Sequence, residues 1–172
     1  ELGQKYFDDL KEAINKSTGI HKDAIFINCS HTHTGPLVGK DPASDKRSSE
    51  TYDAFFVSCV RDAAVYALDD LAESTIETAE AQAKNISFIR RYRMKDGTCR
   101  TNPGWQNPDI EGPLCVPDKN SSLLIIKREG KPEIGIVNFQ VHPDVIGGNK
   151  FSADWPGWAR RCFEGAVPGT KC

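Results

Sequence analysis

Three of the four histidines in the chain stand where apolar segments end. His31-Thr32-His33 comes directly after the stretch Asp23 to Ser30, whose centre is Ala24-Ile25-Phe26-Ile27, and is followed by Thr34-Gly35-Pro36. Residues two apart on an extended chain project to one side, so both imidazoles can meet at one point. His142 closes a second apolar run, Ile134 to Val141, and Pro143 stops it. Ligand sites in α/β sheets collect at strand ends; two strands tipped with histidine could therefore build one metal site. Neutral imidazole suits zinc, which in catalytic sites takes about three protein ligands and keeps one position for water. Water there has its pKa lowered to about 7 and becomes a nucleophile. The same residues also fit a plainer description, a polar loop and a hydrogen-bonded strand end. His21 follows a helix end and reads as a turn residue.

Other residue types offer other chemistry. Arg90, Arg91, Arg93 and Lys95 are either an exposed basic strand edge or, with Tyr92 and Trp105, a grip for phosphate or single-stranded nucleic acid. Asp154 opens a helix, where negative charge meets the helix dipole favourably. Trp105, Trp155 and Trp158 could line an apolar groove or serve packing. The six cysteines are widely and irregularly spaced, with no C-x-x-C pair. Cys29 and Cys59 read as small core residues, and Cys99 with Cys115 could be bridged across a Gly/Pro-rich loop. A thiol-based redox or metal protein is thus a further reading. Reduced thiols would favour an intracellular, cytoplasmic setting.

The elements that must position these residues read as an α/β fold, a mixed β-sheet with packed helices and active-site residues at strand C-terminal ends. Tyr6, Phe7, Leu10, Ala13 and Ile14 recur at helical spacing, and Gly19 is placed to cap that helix. Asp23 to Ser30, apolar on both faces, predicts a buried central strand. After a polar loop from Gly35 to Arg47, Ser48-Ser49-Glu50 signals a helix to about Leu71. Its expected buried side carries Tyr52, Phe55, Phe56, Cys59, Val60, Ala63, Ala64 and Leu68. Thr75 to Lys84 is weak strand material. Ser87 to Arg93 is a better strand, turned by Lys95-Asp96-Gly97-Thr98. Residues 102–119 read as a long binding loop or lid around Trp105. Leu123 to Ile126 and Glu133 to Val141 form a strand pair, and Asp154 to Ala166 a final helix with Pro156 in its first turn.

The chain has 172 residues, with 22 Lys plus Arg against 24 Asp plus Glu and a net charge of -2. That balance disfavours a general nucleic-acid binder, and no segment approaches the ~18 consecutive apolar residues of a membrane-spanning helix. No signal peptide is visible at the first residues, although a start inside a helical pattern leaves secretion open. Both ends look cut, so residues 1–172 are expected to be a single α/β domain that is an incomplete piece of a larger one.

Four motifs in order carry a family resemblance. Ile27-Asn28-Cys29-Ser30-His31-Thr32-His33-Thr34-Gly35-Pro36 resembles the T-H-T-H-S-G-P segment of neutral, non-lysosomal ceramidases and their bacterial relatives. Ile89-Arg90-Arg91-Tyr92 is similar to the family's N-R-S or N-R-R-Y segment, and Asn138-Phe139-Gln140-Val141-His142-Pro143 to its second histidine strand. Ser152-Ala153-Asp154-Trp155-Pro156-Gly157 resembles its S-x-D-x-x-G helix start. The resemblance runs from about residue 5 to residue 170.

It implies a zinc-dependent amide hydrolase acting on a ceramide-like lipid or a smaller amide, a role in lipid metabolism if the former. His31 and His142 would be zinc ligands, His33 would assist substrate binding or proton transfer, and Arg90 would reach into the same pocket. Ile89 stands where the family has Asn, which leaves Arg91 as a rival to Arg90. Val116-Pro117-Asp118 replaces an expected I-D-P order. The family's glutamate and tyrosine ligands and its active-site serine lie further along than Cys172, so this chain by itself is expected to be inactive. The expected partner is an amide substrate, with no nucleic acid and no transmembrane segment; oligomeric state is open. The alternative is a non-catalytic phosphate or single-stranded nucleic-acid binding module using strand 90–95.

Overall fold

α1 (Gln4–Thr18) forms on the expected spacing and turns Leu10 and Ile14 into the core, 1% and 6% exposed. It ends at Gly19, whose φ of 76° is the left-handed conformation that a glycine cap allows. The computed structural model describes residues 2–41 and 45–172; part of the polar loop expected over Gly35 to Arg47 lies outside these. α2 (Glu50–Asp69) starts at Ser49, whose hydroxyl accepts the Tyr52 amide, and it packs on α1.

The expected apolar side of α2 is not buried. Phe55 is 61% exposed, Cys59 and Ala63 are exposed, and the buried residue is Asp53. Among the described residues α2 packs chiefly on α1, so most of its apolar surface meets no second layer. Asp53 accepts the Tyr6 hydroxyl (2.7 Å), the Ser48 hydroxyl and the Gly39 amide (3.0 Å). The Tyr6 ring lies so close over Gly39 (φ 75°) that any Cβ there would collide.

Seven strands follow: β1 (Ser74–Gln82), β2 (Arg91–Met94), β3 (Cys99–Thr101), β4 (Ile110–Pro113), β5 (Asn120–Arg128), β6 (Glu133–Phe139) and β7 (Thr170–Lys171). One sheet has the order β1-β5-β6-β7, the other β3-β2-β4. β5 is antiparallel to β1 and β6, whereas β7 is parallel to β6. A parallel neighbour requires a crossover, and α3 (Asp154–Ala166) supplies it. The mixed sheet and its helices make the fold α/β, as expected. Phe163 of α3 lies directly over buried Gly135 of β6, where a Cβ has no room. The opposite sheet face is open, with Ile76 65% and Ile136 53% exposed. Lys131 and Arg128 tie the β5–β6 turn to the end of α2 by hydrogen bonds to Asp70, holding its carboxyl down at about 2.

Four further expectations are overturned. Asp23 to Ser30 is no buried strand: a 3-10 turn (Lys22–Ala24) leads into a stretch that pairs with no strand among the described residues, and Phe26 is 89% exposed. An apolar run specifies a strand only where a partner offers its backbone groups. Residues 102–119 are not structureless, because β4 pairs with β2 and makes the smaller sheet three-stranded. The better strand begins only at Arg91, so Ser87 to Arg90 approach it as irregular chain. All six cysteines are unpaired thiols, which removes the Cys99–Cys115 bridge. Among the described residues no helix is long and apolar enough to cross a membrane.

Candidate metal centre

His31, His33 and His142 come together. Nε2 of His31 lies 3.1 Å from Nε2 of His142, and the three rings meet edge to face with centroids 4.8–5.1 Å apart. One ring nitrogen from each lies within 4.8 Å of the others. Two nitrogens bound to one tetrahedral zinc at 2.0–2.1 Å would stand roughly 3.3 Å apart. The donor set and its spacing therefore fit a cation of the zinc type, and 3.1 Å equally fits a hydrogen bond between two imidazoles.

The convergence is reached by a different route from the one expected. His31 is not on a strand; its φ of 62° is left-handed, and a turn begins at His33. It is this bend, not strand alternation, that brings both rings of the H-x-H segment to one place. His142 sits three residues beyond the end of β6.

One short segment ahead of and within α3 holds both histidine loops. The Ser152 carbonyl accepts the hydroxyls of Thr32 (3.0 Å) and Thr34 (3.1 Å), and the Ser152 amide donates to the Thr34 carbonyl (3.1 Å). Asp154, only 2% exposed, accepts the amides of Val145 (2.9 Å), Ile146 (2.8 Å) and Trp155 (2.6 Å). The Trp155 indole donates to the Val141 carbonyl (3.0 Å), and its ring packs edge-on to Phe139. Asp154 thus does more than meet a helix dipole: it closes the loop that carries His142. Burial alone would raise its carboxyl pKa, yet the amides of Ile146, Trp155 and Val145 outweigh it and hold the pKa below the usual value.

His142 has its pKa lowered, first by burial and then by the positive field of Arg90 and the neighbouring imidazoles, with Asp144 opposing. Neutral imidazole is the ligating form, so the environment favours it. Of the two rival arginines, it is Arg90 whose charge is felt at His142. Met94 is buried and Tyr92 half-buried, whereas Arg91 and Arg93 point outward. The Asn102 amide bonds to the Arg90 carbonyl, but Arg90 precedes β2 and is exposed like Arg91 and Arg93, so burial does not set it apart from them.

Not every sequence candidate joins the cluster. His21 caps the 3-10 turn, as a turn residue should. Trp105 and Trp158 stand in solvent, 91% and 63% exposed. A shallow cavity of about 720 Å³ opens on the uncovered sheet face, lined by Thr78, Leu124, Ile136 and Asn138 among others, and none of the three histidines lines it. Sequence reasoning missed Asp144, whose Oδ1 lies 3.5 Å from Nδ1 of His33; a carboxylate two residues after a strand-end histidine was the available signal. No protein-family model matches the chain, and no curated protein or solved structure matches it significantly.

Proposed function

We propose that the chain carries the histidine side of a zinc-dependent amide hydrolase site of the neutral ceramidase-like kind. The observation that supports this reading is the meeting of His31, His33 and His142, drawn from positions 111 residues apart in the chain, within ligand distance of one another. His31 and His142 would hold the metal through Nε2. When bound, zinc supplies Lewis acidity to a scissile carbonyl and makes water a nucleophile near neutral pH.

The chain's own residues have separable tasks. His33, the exposed member of the cluster, is open to substrate and can hold or pass a proton at a ring nitrogen. Arg90 can donate charge-assisted hydrogen bonds to a carbonyl or headgroup oxygen beside the imidazoles. The half-buried setting of His31 and His142 limits competing water.

Zinc titration of the purified chain by calorimetry tests the proposal. Binding is expected, weakened at least tenfold by His31→Ala or by His142→Ala. Absence of binding, or binding that ignores both replacements, would refute it. Hydrolysis of a short N-acyl amide and of ceramide in micelles, with zinc and with chelator, is expected to stay at background for this chain, which carries only part of such a site; robust turnover would overturn that expectation. Turnover that survives His142→Ala arises elsewhere.

A further inference from the structure

β1 and β5 are neighbours in the larger sheet, so residues 83–119 between them are an excursion from it. β2, β3 and β4 all lie in this excursion and pack chiefly on one another. It carries seven basic side chains against four acidic ones, a net charge of +3 in a chain whose total is -2. Hydrogen bonds gather its outward apolar side chains at one end. The Leu114 amide donates to the Arg91 carbonyl (2.9 Å) and the Ser87 hydroxyl to the Asp118 carbonyl (3.2 Å). Residues 87–91 and 114–118 therefore run side by side, which brings Phe88 and Val116 to the end where β2 begins. The Asn102 amide reaches the Arg90 carbonyl (2.9 Å) at that same end. Just beyond it, the Asn107 side-chain amide donates to the Pro103 carbonyl (2.8 Å) and closes a short loop with Trp105 at its tip. Phe88, Trp105 and Val116 are 72%, 91% and 83% exposed.

Large apolar side chains exposed together mark an interaction surface. Here they stand beside Arg91 and Arg93, which share the outward face of β2. Arg100 pairs with Asp96 (3.1 Å), whereas Arg91 and Arg93 meet no carboxylate among the described residues. Asp118, the acid that adjoins this end, accepts the Asn120 amide (2.9 Å). A bilayer surface supplies both counterparts, anionic headgroups outside and acyl chain beneath, and tryptophan favours that boundary. Single-stranded nucleic acid would suit the arginines and Trp105 but gives aliphatic Val116 nothing to enter. We propose that this end of the smaller sheet is a docking surface for anionic bilayers: Phe88, Trp105 and Val116 enter the headgroup boundary while Arg91 and Arg93 hold lipid phosphates. Docking of this kind needs no spanning helix. Arg90 stays with the histidine cluster, so the bilayer and the cluster lie at the same end of the smaller sheet.

The test exposes the 172-residue chain to phosphatidylcholine vesicles with and without phosphatidylserine, read by co-sedimentation and tryptophan emission. Circular dichroism confirms that each variant is folded. Binding is expected to be at least tenfold tighter with phosphatidylserine and to weaken as salt is added. Arg91→Gln with Arg93→Gln should weaken it about 25-fold, at roughly fivefold for each charge. Lys16→Gln with Lys22→Gln, an equal loss of charge elsewhere, should stay within about twofold of the parent. Phe88→Ala with Trp105→Ala should cost at least about tenfold. Emission should shift to the blue on binding, and Trp105→Phe should keep most of the affinity while losing the shift. Equal binding to both vesicles, binding to neither, or affinity indifferent to these replacements overturns the proposal. So does a blue shift that survives Trp105→Phe. A single-stranded oligonucleotide that binds through Arg91 and Arg93 where vesicles do not would assign the surface to nucleic acid. No metal enters this test, so its failure leaves the histidine reading standing, and failure of zinc to bind leaves this one.

Discussion

Asp53 and Asp154 make an instructive pair. Each lies in the first turn of a helix, each is buried, and each has its carboxyl held below the usual value. For Asp53 the main cause is the Ser48 hydroxyl, then the Tyr6 hydroxyl, with the single Gly39 amide adding less, against the opposing effect of burial. For Asp154 burial is the largest influence, and three backbone amides overcome it. A hydroxyl partner fixes a side chain, which can rotate and find water if released. Amides from consecutive residues fix the course of the backbone itself. The device is the same, but only the version built on amides stands beside the imidazoles, where a displacement of one ångström matters.

The sharpest way to break the comparison is Asp154→Ala. It leaves three amides without their partner and frees the His142 loop. Urea unfolding is expected to show a loss of about 2–5 kcal/mol, and zinc affinity should fall at least 100-fold. Asp53→Asn should lower the thermal midpoint by a few degrees and leave zinc affinity within twofold, since its loop carries no histidine. Equal effects of the two on zinc would erase the distinction. Thr34→Val removes one of the two hydroxyls on the Ser152 carbonyl; about 1 kcal/mol of stability should go, with a few-fold loss of zinc affinity.

Acid titration gives the smallest and broadest contrast. A carboxyl held below its unfolded value of about 3.9 adds stability that is complete above that pH and disappears as pH falls through the folded value. Asp70, held at about 2 by Lys131 and Arg128, belongs to this class with Asp53 and Asp154. Stability measured by urea should therefore decline from pH 4 towards pH 2. Asp70→Asn should flatten that decline and leave zinc binding at pH 7 untouched; an unchanged slope would count against the Asp70 contacts.

How far the chain could be read in advance varies by region, for physical reasons. α1, α3 and the β5–β6 pair were legible because periodicity, caps and turn residues are local. The apolar run before His31 was misread because pairing is a property of neighbours, not of the run. His31 and His142 were expected to meet at two strand tips; they do meet, but His31 lies on no strand, and the bend that gathers the H-x-H rings depends on a left-handed backbone at His31, which no side-chain pattern announces. Alternation with Tyr92 and Met94 does not reach Arg90, which lies ahead of β2 and is exposed. The clip formed by Ser152, Asp154 and Trp155 was not legible either, because its bonds run to backbone groups of distant loops.

The left-handed backbone at His31 has an evolutionary corollary. Holding a residue with a Cβ at φ 62° costs on the order of 1 kcal/mol. Glycine would relieve that penalty but lose a similar amount through its freer unfolded chain. As far as backbone conformation is concerned, the two residues are close to interchangeable here. What separates them is the ring, whose Nε2 stands 3.1 Å from that of His142, so a histidine kept at this place over generations would be kept for the ring's contacts and not for the shape of the turn.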